Sequence, residues 1–176
     1  MYFSVKSSSE IQCEWDKMTT KNKITAKYLL FKDGECIYSG PASSFKVENL
    51  NPCTNYTFTL QNLTVENAEK SPMSDPVNAL TLETPPSEPL NFRMLGSSTS
   101  LVRVAWDPPE KHNGILKNYF VYNGDTFVEQ TNDLTSTING LQPSTGYDFY
   151  VCASNNAGKS EKASLRVVTC DVGNKI

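Results

Sequence analysis

The stretch Leu141–Tyr147, which reads Leu-Gln-Pro-Ser-Thr-Gly-Tyr, decides the fold because it occurs twice. Its earlier copy, Leu50–Tyr56, reads Leu-Asn-Pro-Cys-Thr-Asn-Tyr. In each copy a leucine is followed by a proline turn, a threonine and a tyrosine. Residues 56–60 and 147–151 then alternate with the period of two that is typical of a half-buried strand. We therefore expect each copy to be a corner that leads from one strand into the next.

The two copies belong to a repeat that covers most of the chain. Tyr147 lies 91 positions after Tyr56, and Trp106 lies 91 positions after Trp15. The same offset separates Leu141 from Leu50 and residue 119 from residue 28, both tyrosines. A fixed offset over four anchors indicates tandem duplication, and about ninety residues is the size of a small sandwich domain.

Composition supports an all-β chain and argues against several classes of partner. Short alternating runs are separated by Pro, Gly, Ser and Asn, and 38% of the 176 residues are hydrophobic. The net charge is −3 and neither half is basic, so we expect no nucleic-acid partner. No apolar run approaches the roughly 20 residues of a membrane-spanning helix, so direct membrane insertion by this segment is not expected.

The repeat also predicts the domain boundaries. The first domain is expected at 1–84, a proline-rich linker at 85–89, the second domain at 90–170 and a tail at 171–176. In the alignment of the two units, the first one starts inside its own first strand. That truncation favours a segment of a longer chain.

Seven short strands are expected in each unit, with Trp15 and Trp106 facing inward near the ends of the second strands. The predicted third strands are 24–31 and 115–122, and the predicted last strands are 78–82 and 164–168.

The second unit resembles a fibronectin type III domain. Its motifs are Trp-x-Pro-Pro at 106–109, Asn-Gly-Ile at 113–115, Leu-x-Pro-x-Thr-x-Tyr at 141–147 and Ala-x-Asn-x-x-Gly-x-Ser at 153–160. The first unit is more divergent, since it lacks Trp-x-Pro-Pro and has a loop about two residues longer after its sixth strand. The resemblance implies two tandem sandwiches, each of a three-stranded and a four-stranded sheet. It also implies tyrosine corners, in which the hydroxyls of Tyr56 and Tyr147 satisfy backbone groups left open by the bend.

No constellation of residues points to catalysis. The single histidine, His112, lies in a proline-rich loop without the nucleophile and acid of a triad. The cysteines and the histidine lack the spacing of a metal site. Residues 156–160 end in Gly-Lys-Ser but lack the upstream glycine of a phosphate-binding loop. We therefore predict that the segment is not an enzyme and binds no metal or cofactor.

Five cysteines leave the redox compartment open. Cys13 should face the core of the first domain, and Cys152 should face outward on the sixth strand of the second. Cys170 should lie far from Cys152, at the corner end of the last strand. Cys36 and Cys53 are expected at the same pole, and they could form a disulfide if their Cα atoms come within about 7 Å. An odd count leaves at least one thiol free or paired outside the chain.

Two sequons for N-glycosylation are present, at Asn55 and at Asn62. Asn55 should be accessible in the corner loop. Asn62 aligns with Ala153, an inward position, although the longer loop that follows could turn it outward. Chance matches are an alternative, because Asn, Ser and Thr are abundant.

A candidate partner surface lies on the four-stranded sheet of the second domain. Tyr150 should face outward, and on the neighbouring strand either Phe120 and Tyr122 or residues 119 and 121 must do the same. If Phe120 and Tyr122 are the outward pair, they form an aromatic strip beside Tyr150. Such a strip fits a protein interface. The alternative is that the aromatic pairs only stabilise the sheet.

The resemblance implies a non-catalytic, protein-binding and spacer segment of a cell-surface receptor or adhesion protein, extracellular and glycosylated. The sequence does not identify the partner. Three alternatives stay open. The Cys13-x-Trp15 motif resembles class I cytokine receptors, although the second unit lacks Trp-Ser-x-Trp-Ser. An intracellular scaffold of fibronectin type III domains and a non-catalytic appendage of an enzyme are the other two.

Overall fold

The computed structural model describes residues 1–17, 27–63 and 70–173 of the chain. The chain divides into two compact units, Met1–Leu82 and Glu83–Ile176. This division falls two residues before the domain end expected at residue 84. Each unit is a separate β-sandwich.

The first unit contains seven antiparallel strands in two sheets. One sheet has the order β1-β2-β5 and the other the order β4-β3-β6-β7. The strands are β1 (Tyr2–Val5), β2 (Ile11–Glu14), β3 (Lys27–Lys32), β4 (Glu35–Gly40), β5 (Ser44–Val47), β6 (Asn55–Leu63) and β7 (Val77–Leu80).

The second unit repeats this topology strand for strand. Its sheets have the orders β12-β9-β8 and β11-β10-β13-β14. The strands are β8 (Leu90–Ser97), β9 (Leu101–Asp107), β10 (Asn118–Asn123), β11 (Thr126–Thr131), β12 (Thr135–Asn139), β13 (Gly146–Ser154) and β14 (Ala163–Val168). Two seven-stranded sandwiches, with no helix in the described ranges, confirm the expected all-β fold.

The two cores are built from equivalent residues. Trp15 is 3% exposed and Trp106 is 1% exposed, and each contacts a tyrosine of the facing sheet, Tyr28 or Tyr119, at a ring-centroid distance of 5.6 Å. Because both sheets contribute alternate residues, each core is a single apolar layer between them. Further equivalent pairs are Ile11 and Val102, Cys13 and Val104, Leu30 and Val121, Val47 and Ile138, Leu50 and Leu141, and Phe58 and Phe149.

The ends of several strands differ from the expectation. Residues 24–26 of the predicted third strand lie outside the described residues. Its counterpart in the second unit begins at Asn118 rather than at Ile115, which is 72% exposed. The preceding loop turns through Asn113, whose φ of 51° lies in the left-handed region, and so delays the strand. Strand β7 ends at Leu80, although the backbone N–H of the next residue, Thr81, still donates to the Thr54 carbonyl in the corner.

Both corners have the tyrosine geometry that the resemblance implies. The Tyr56 hydroxyl accepts a hydrogen bond from the backbone N–H of Asn51 at 2.9 Å. The Tyr147 hydroxyl accepts the equivalent bond from Gln142 at 2.8 Å. Tyr56 is buried, whereas Tyr147 is half-buried and stacks on the Phe149 ring.

A buried threonine directly after the last strand closes each corner, and the sequence analysis did not identify it. The Thr81 hydroxyl donates to the Asn51 carbonyl at 2.6 Å and accepts from the Thr54 N–H at 2.9 Å. Thr169 makes the same two bonds in the second unit, to the Gln142 carbonyl and from the Thr145 N–H. Backbone groups that the bend leaves open are therefore paired at both corners.

Candidate functional site

The outer face of the four-stranded sheet in the second domain carries a cluster of aromatic rings. Tyr119 and Val121 are buried in the core, so Phe120 and Tyr122 point to the other side of β10. The register places Tyr122 opposite Tyr150 on β13. The strand alternation therefore selects the outward pair that places an aromatic strip beside Tyr150.

A fourth ring, Phe127 on the edge strand β11, completes the cluster and was missed from the sequence. It lies opposite Tyr122 across the β10–β11 hairpin, with ring centroids 5.9 Å apart, and 6.4 Å from the Phe120 ring. Phe127 is 54% exposed. The hairpin register across residues 123–126 is the sequence signal that could have found it. We call Phe120, Tyr122, Phe127 and Tyr150 the aromatic face.

Two lysines from the segment between β13 and β14 lie over these rings. The Lys159 ammonium is 3.5 Å from the Phe120 ring centroid and donates to the Tyr122 hydroxyl at 3.0 Å. The Lys162 ammonium is 4.6 Å from the Tyr122 ring centroid and 5.3 Å from that of Tyr150. Each exposed cation–π contact of this kind contributes about 0.5–1 kcal/mol. Sequence reasoning did not identify either lysine, because the alternation along a strand does not show which surface a loop side chain contacts.

Cys152 is not exposed on this face, contrary to the expectation. It points away from the core as predicted, but it is only 2% exposed. It lies opposite Phe120 in the sheet, close to Tyr122 and to the ammonium groups of Lys159 and Lys162, and these side chains cover it. Burial raises the pKa of the Cys152 thiol, and the nearby ammonium groups and the Tyr122 hydroxyl oppose that effect only in part.

The lysines give the aromatic face positive charge without a carboxylate partner. Arg166, further along β14, forms an ion pair with Asp148 at 3.3 Å. Within the part of the chain that the structure describes, no carboxylate lies within ion-pair distance of Lys159 or Lys162. The face therefore presents half-buried rings, one exposed phenyl group and two ammonium groups.

The rings are covered in part by lysine side chains of their own domain. Phe120, Tyr122 and Tyr150 are half-buried, and Phe127 is exposed. Their partial exposure leaves the surface accessible to a second molecule.

The segment before the second domain is bound to that domain by hydrogen bonds. The backbone N–H of Thr84 donates to the Asn113 carbonyl at 3.2 Å, and the Asn113 side chain donates to the Pro85 carbonyl at 2.9 Å. Ser87 and Lys111 exchange two further bonds. The first residues of the expected linker are thus attached to the loop that follows β9.

Asn155 at the end of β13 organises this region. Its side-chain nitrogen donates to the Thr84 carbonyl at 2.6 Å and to the His112 carbonyl at 3.1 Å. Its side-chain oxygen accepts from the N–H groups of Ala157 and Gly158. Asn155 is buried, while His112 is an exposed loop residue that takes part only through its backbone. The structure thus gives the 155–160 segment the role of a hairpin loop and of an anchor for the linker.

The disulfide considered between Cys36 and Cys53 is not formed, and all five cysteines are free thiols. The Cys36 thiol lies on the exposed edge strand β4 and is directed to the Tyr38 carbonyl at 3.5 Å. Cys53 lies in the corner with a φ of 47° and is bound through its backbone to Leu82. Cys13 is fully buried, and Cys170 lies at the corner end of the second domain.

The two sequons lie in different environments. Asn55 is exposed at the start of β6. Asn62 is half-buried near the end of the same strand, and its side-chain oxygen is fully buried. Thr64, the third residue of the second sequon, lies outside the described residues.

Over the ranges 1–17, 27–63 and 70–173, no group of three metal-ligating side chains comes together. No helix among the same residues is long and apolar enough to cross a membrane.

Comparison with known proteins places the second domain in a family. Residues 85–169 match the family model described as "Fibronectin type III domain". The chain is 32% identical to "Phosphatidylinositol phosphatase PTPRQ" of Rattus norvegicus over 133 residues, which are 74% of the chain and 6% of that protein. It is 29% identical to "Usherin" of Homo sapiens over 152 residues, 84% of the chain and 3% of that protein.

A third relative is "Receptor-type tyrosine-protein phosphatase F" of Danio rerio, 31% identical over 127 residues, 70% of the chain and 6% of that protein. The chain thus spans 6% or less of the length of each of these three relatives.

Proposed function

The chain belongs to the fibronectin type III family, and we propose that it is a non-catalytic spacer and protein-binding segment of a cell-surface receptor or adhesion protein. The aromatic face of the second domain carries this proposal. The sandwich architecture by itself fixes no function, because the same fold serves many.

The relatives support the receptor part of the proposal. One of them is named a receptor-type phosphatase, and the chain matches only a small part of its length. The chain covers 6% of that phosphatase, and residues 85–169 of the chain match the fibronectin type III model. A phosphatase name therefore says nothing about catalysis by this segment.

The aromatic face supports the protein-binding part. Tyrosine and phenylalanine are enriched at protein interfaces, where a ring supplies apolar contact and a polar tip supplies hydrogen bonds. Phe127 is 54% exposed although it belongs to a sheet whose inner face is well packed. Stabilisation of the sheet explains contacts between rings, but it does not require a phenyl group that remains in water.

Photo-cross-linking tests the proposal on the full-length protein expressed in cells. A photoreactive amino acid at position 127 should give an adduct with a second protein. The same amino acid at exposed Thr137, on the other sheet of the domain, should give none. Equal adducts at both positions, or none at either, would contradict the proposed interface. Surface biotinylation of intact cells tests the cell-surface location separately.

The free thiols favour a second candidate, an intracellular scaffold segment. All five cysteines are unpaired, and unpaired cysteines are typical of reducing compartments. Under this candidate, surface biotinylation fails and the exposed Asn55 carries no glycan. The cross-linking result at position 127 is independent of the compartment.

A further inference from the structure

The lysines of the aromatic face contact aromatic rings, whereas two arginines of this domain form ion pairs with carboxylates. Arg93 pairs with Asp107 at 3.0 Å, and Arg166 pairs with Asp148 at 3.3 Å. Lys159 and Lys162 lie over aromatic rings instead, with no carboxylate within ion-pair distance in the described ranges. Two cations are therefore held near the Tyr122 ring, and no carboxylate of the described residues compensates their charge.

We propose that the aromatic face binds an acidic peptide segment of a partner protein. The carboxylates of that segment would contact the ammonium groups of Lys159 and Lys162, and an apolar side chain would pack on Phe127. This inference rests on the proposed protein-binding function and adds the chemistry of the partner.

Contacts with the rings restrict the lysine side chains before a partner binds. A free lysine side chain loses rotamer freedom when it binds, and this loss of entropy opposes binding. Here the hydrogen bond to Tyr122 and the ring contacts already restrict Lys159. An ammonium group also keeps donors for a carboxylate while one of its faces lies on a ring. A charge-assisted bond to a carboxylate is about twice as strong as a neutral one.

Charge also favours a short acidic peptide over a long polyanion. Sulfated polysaccharides and nucleic acids gain affinity from many cations along an extended surface. The aromatic face offers two unpaired ammonium groups, and exposed Glu161 lies between them in the sequence. The chain as a whole has a net charge of −3. A peptide with two or three carboxylates around an apolar residue matches this distribution better than a polymer of uniform negative charge.

Titration of the 176-residue protein by NMR tests the inference. The probe is a pentapeptide that alternates glutamate with leucine, and its control replaces each glutamate with glutamine. The glutamate peptide should shift the ring signals of Phe120, Tyr122 and Phe127, more weakly at higher salt, and the glutamine peptide should not. Shifts of equal size with both peptides, or no shift on these rings, would overturn the inference.

Variants test whether the effect depends on Lys162. Lys162→Gln removes one exposed charge-assisted contact and should weaken glutamate-peptide binding by about two- to fivefold. Arg103→Gln, an exposed cation on the opposite sheet, is the matched control and should leave binding unchanged. Equal losses in both variants would indicate only general electrostatic attraction. Unchanged melting temperatures of both variants would exclude unfolding as the cause.

A heparin oligosaccharide completes the experiment. Ring shifts with heparin and none with the glutamate peptide would assign the face to a sulfated polysaccharide and overturn the inference. The cross-linking experiment at position 127 separates failure of the acidic partner from failure of the proposed protein-binding function. A protein adduct there without any effect of the glutamate peptide would retain the protein-binding function and reject the acidic partner.

Discussion

The hydroxyl of Tyr147 accepts a 2.8 Å hydrogen bond from the backbone N–H of Gln142, five residues earlier. The same bond, at 2.9 Å, joins Tyr56 to Asn51 in the first domain. The two corners differ in their exposure to water. Tyr56 is buried at 7% exposure, whereas Tyr147 is half-buried.

We expect Tyr56→Phe to destabilise its domain more than Tyr147→Phe does. Both changes remove one acceptor, but water can replace it more easily at the half-buried corner. The expected losses in the free energy of unfolding are about 1–2 kcal/mol for Tyr56→Phe and about 0.5–1 kcal/mol for Tyr147→Phe. Urea denaturation of each domain measures them. A larger loss at Tyr147 would show that exposure does not govern the cost of this bond.

The parts of the fold that the sequence predicted depend on period and spacing. The alternation of 56–60 and 147–151 is set by the strand backbone, and the offset of 91 positions is set by the tandem repeat, so strand count and the inward positions of Trp15 and Trp106 could be predicted. The closing threonines could not, because the offset changes in the last strand: Thr169 lies 88 positions after Thr81. The loop before that strand is therefore three residues shorter in the second domain, not two.

The aromatic face could be predicted only in part, for a different physical reason. Alternation shows that Tyr150 points away from the core, and it leaves two choices for its neighbours on β10. It does not show which surface a loop side chain contacts, so the positions of Lys159 and Lys162 and the burial of Cys152 could not be predicted from it. Strand direction predicts which face a residue occupies, but long side chains from other segments decide how much of that face meets water.

Asn155→Ala should destabilise the second domain and release the segment before it. The change leaves the Thr84 and His112 carbonyls and two N–H groups without their partner. We expect a loss of about 2–4 kcal/mol in the free energy of unfolding. Hydrogen exchange at the Thr84 amide, which is bonded to Asn113, should become faster.

Asn156→Ala is the matched control for that variant. Asn156 is exposed, and its side chain makes a single 3.4 Å contact with Glu83. The stability of this variant should stay within about 0.5 kcal/mol of the unsubstituted protein. Equal effects of the two variants on stability would show that the Asn155 side chain does not organise this region.

Secretion of the protein from animal cells should lead to glycosylation at Asn55 and not at Asn62. Asn55 is exposed, whereas the side-chain oxygen of Asn62 is fully buried, so a glycan on Asn62 would hinder folding. Asn55→Gln should abolish the mass that an endoglycosidase removes, and Asn62→Gln should leave it unchanged. A glycan that persists in Asn55→Gln would contradict this assignment.

The thiol of Cys13 should make the stability of the first domain depend on alkaline pH. The side chain is fully buried in the core, and burial raises its pKa from an ordinary value near 9.0 to about 11. Because the folded state holds the proton more tightly, this stabilisation is complete below about pH 9 and is lost as the pH rises to 11. A pKa shift of about two units corresponds to about 2–3 kcal/mol in the free energy of unfolding.

Cys13→Val is the matched control, since Val104 occupies the equivalent position in the second domain. Urea denaturation from pH 8 to pH 11 should show a smaller loss in this variant than in the unsubstituted protein. Equal losses would assign the alkaline sensitivity to the tyrosines and lysines instead.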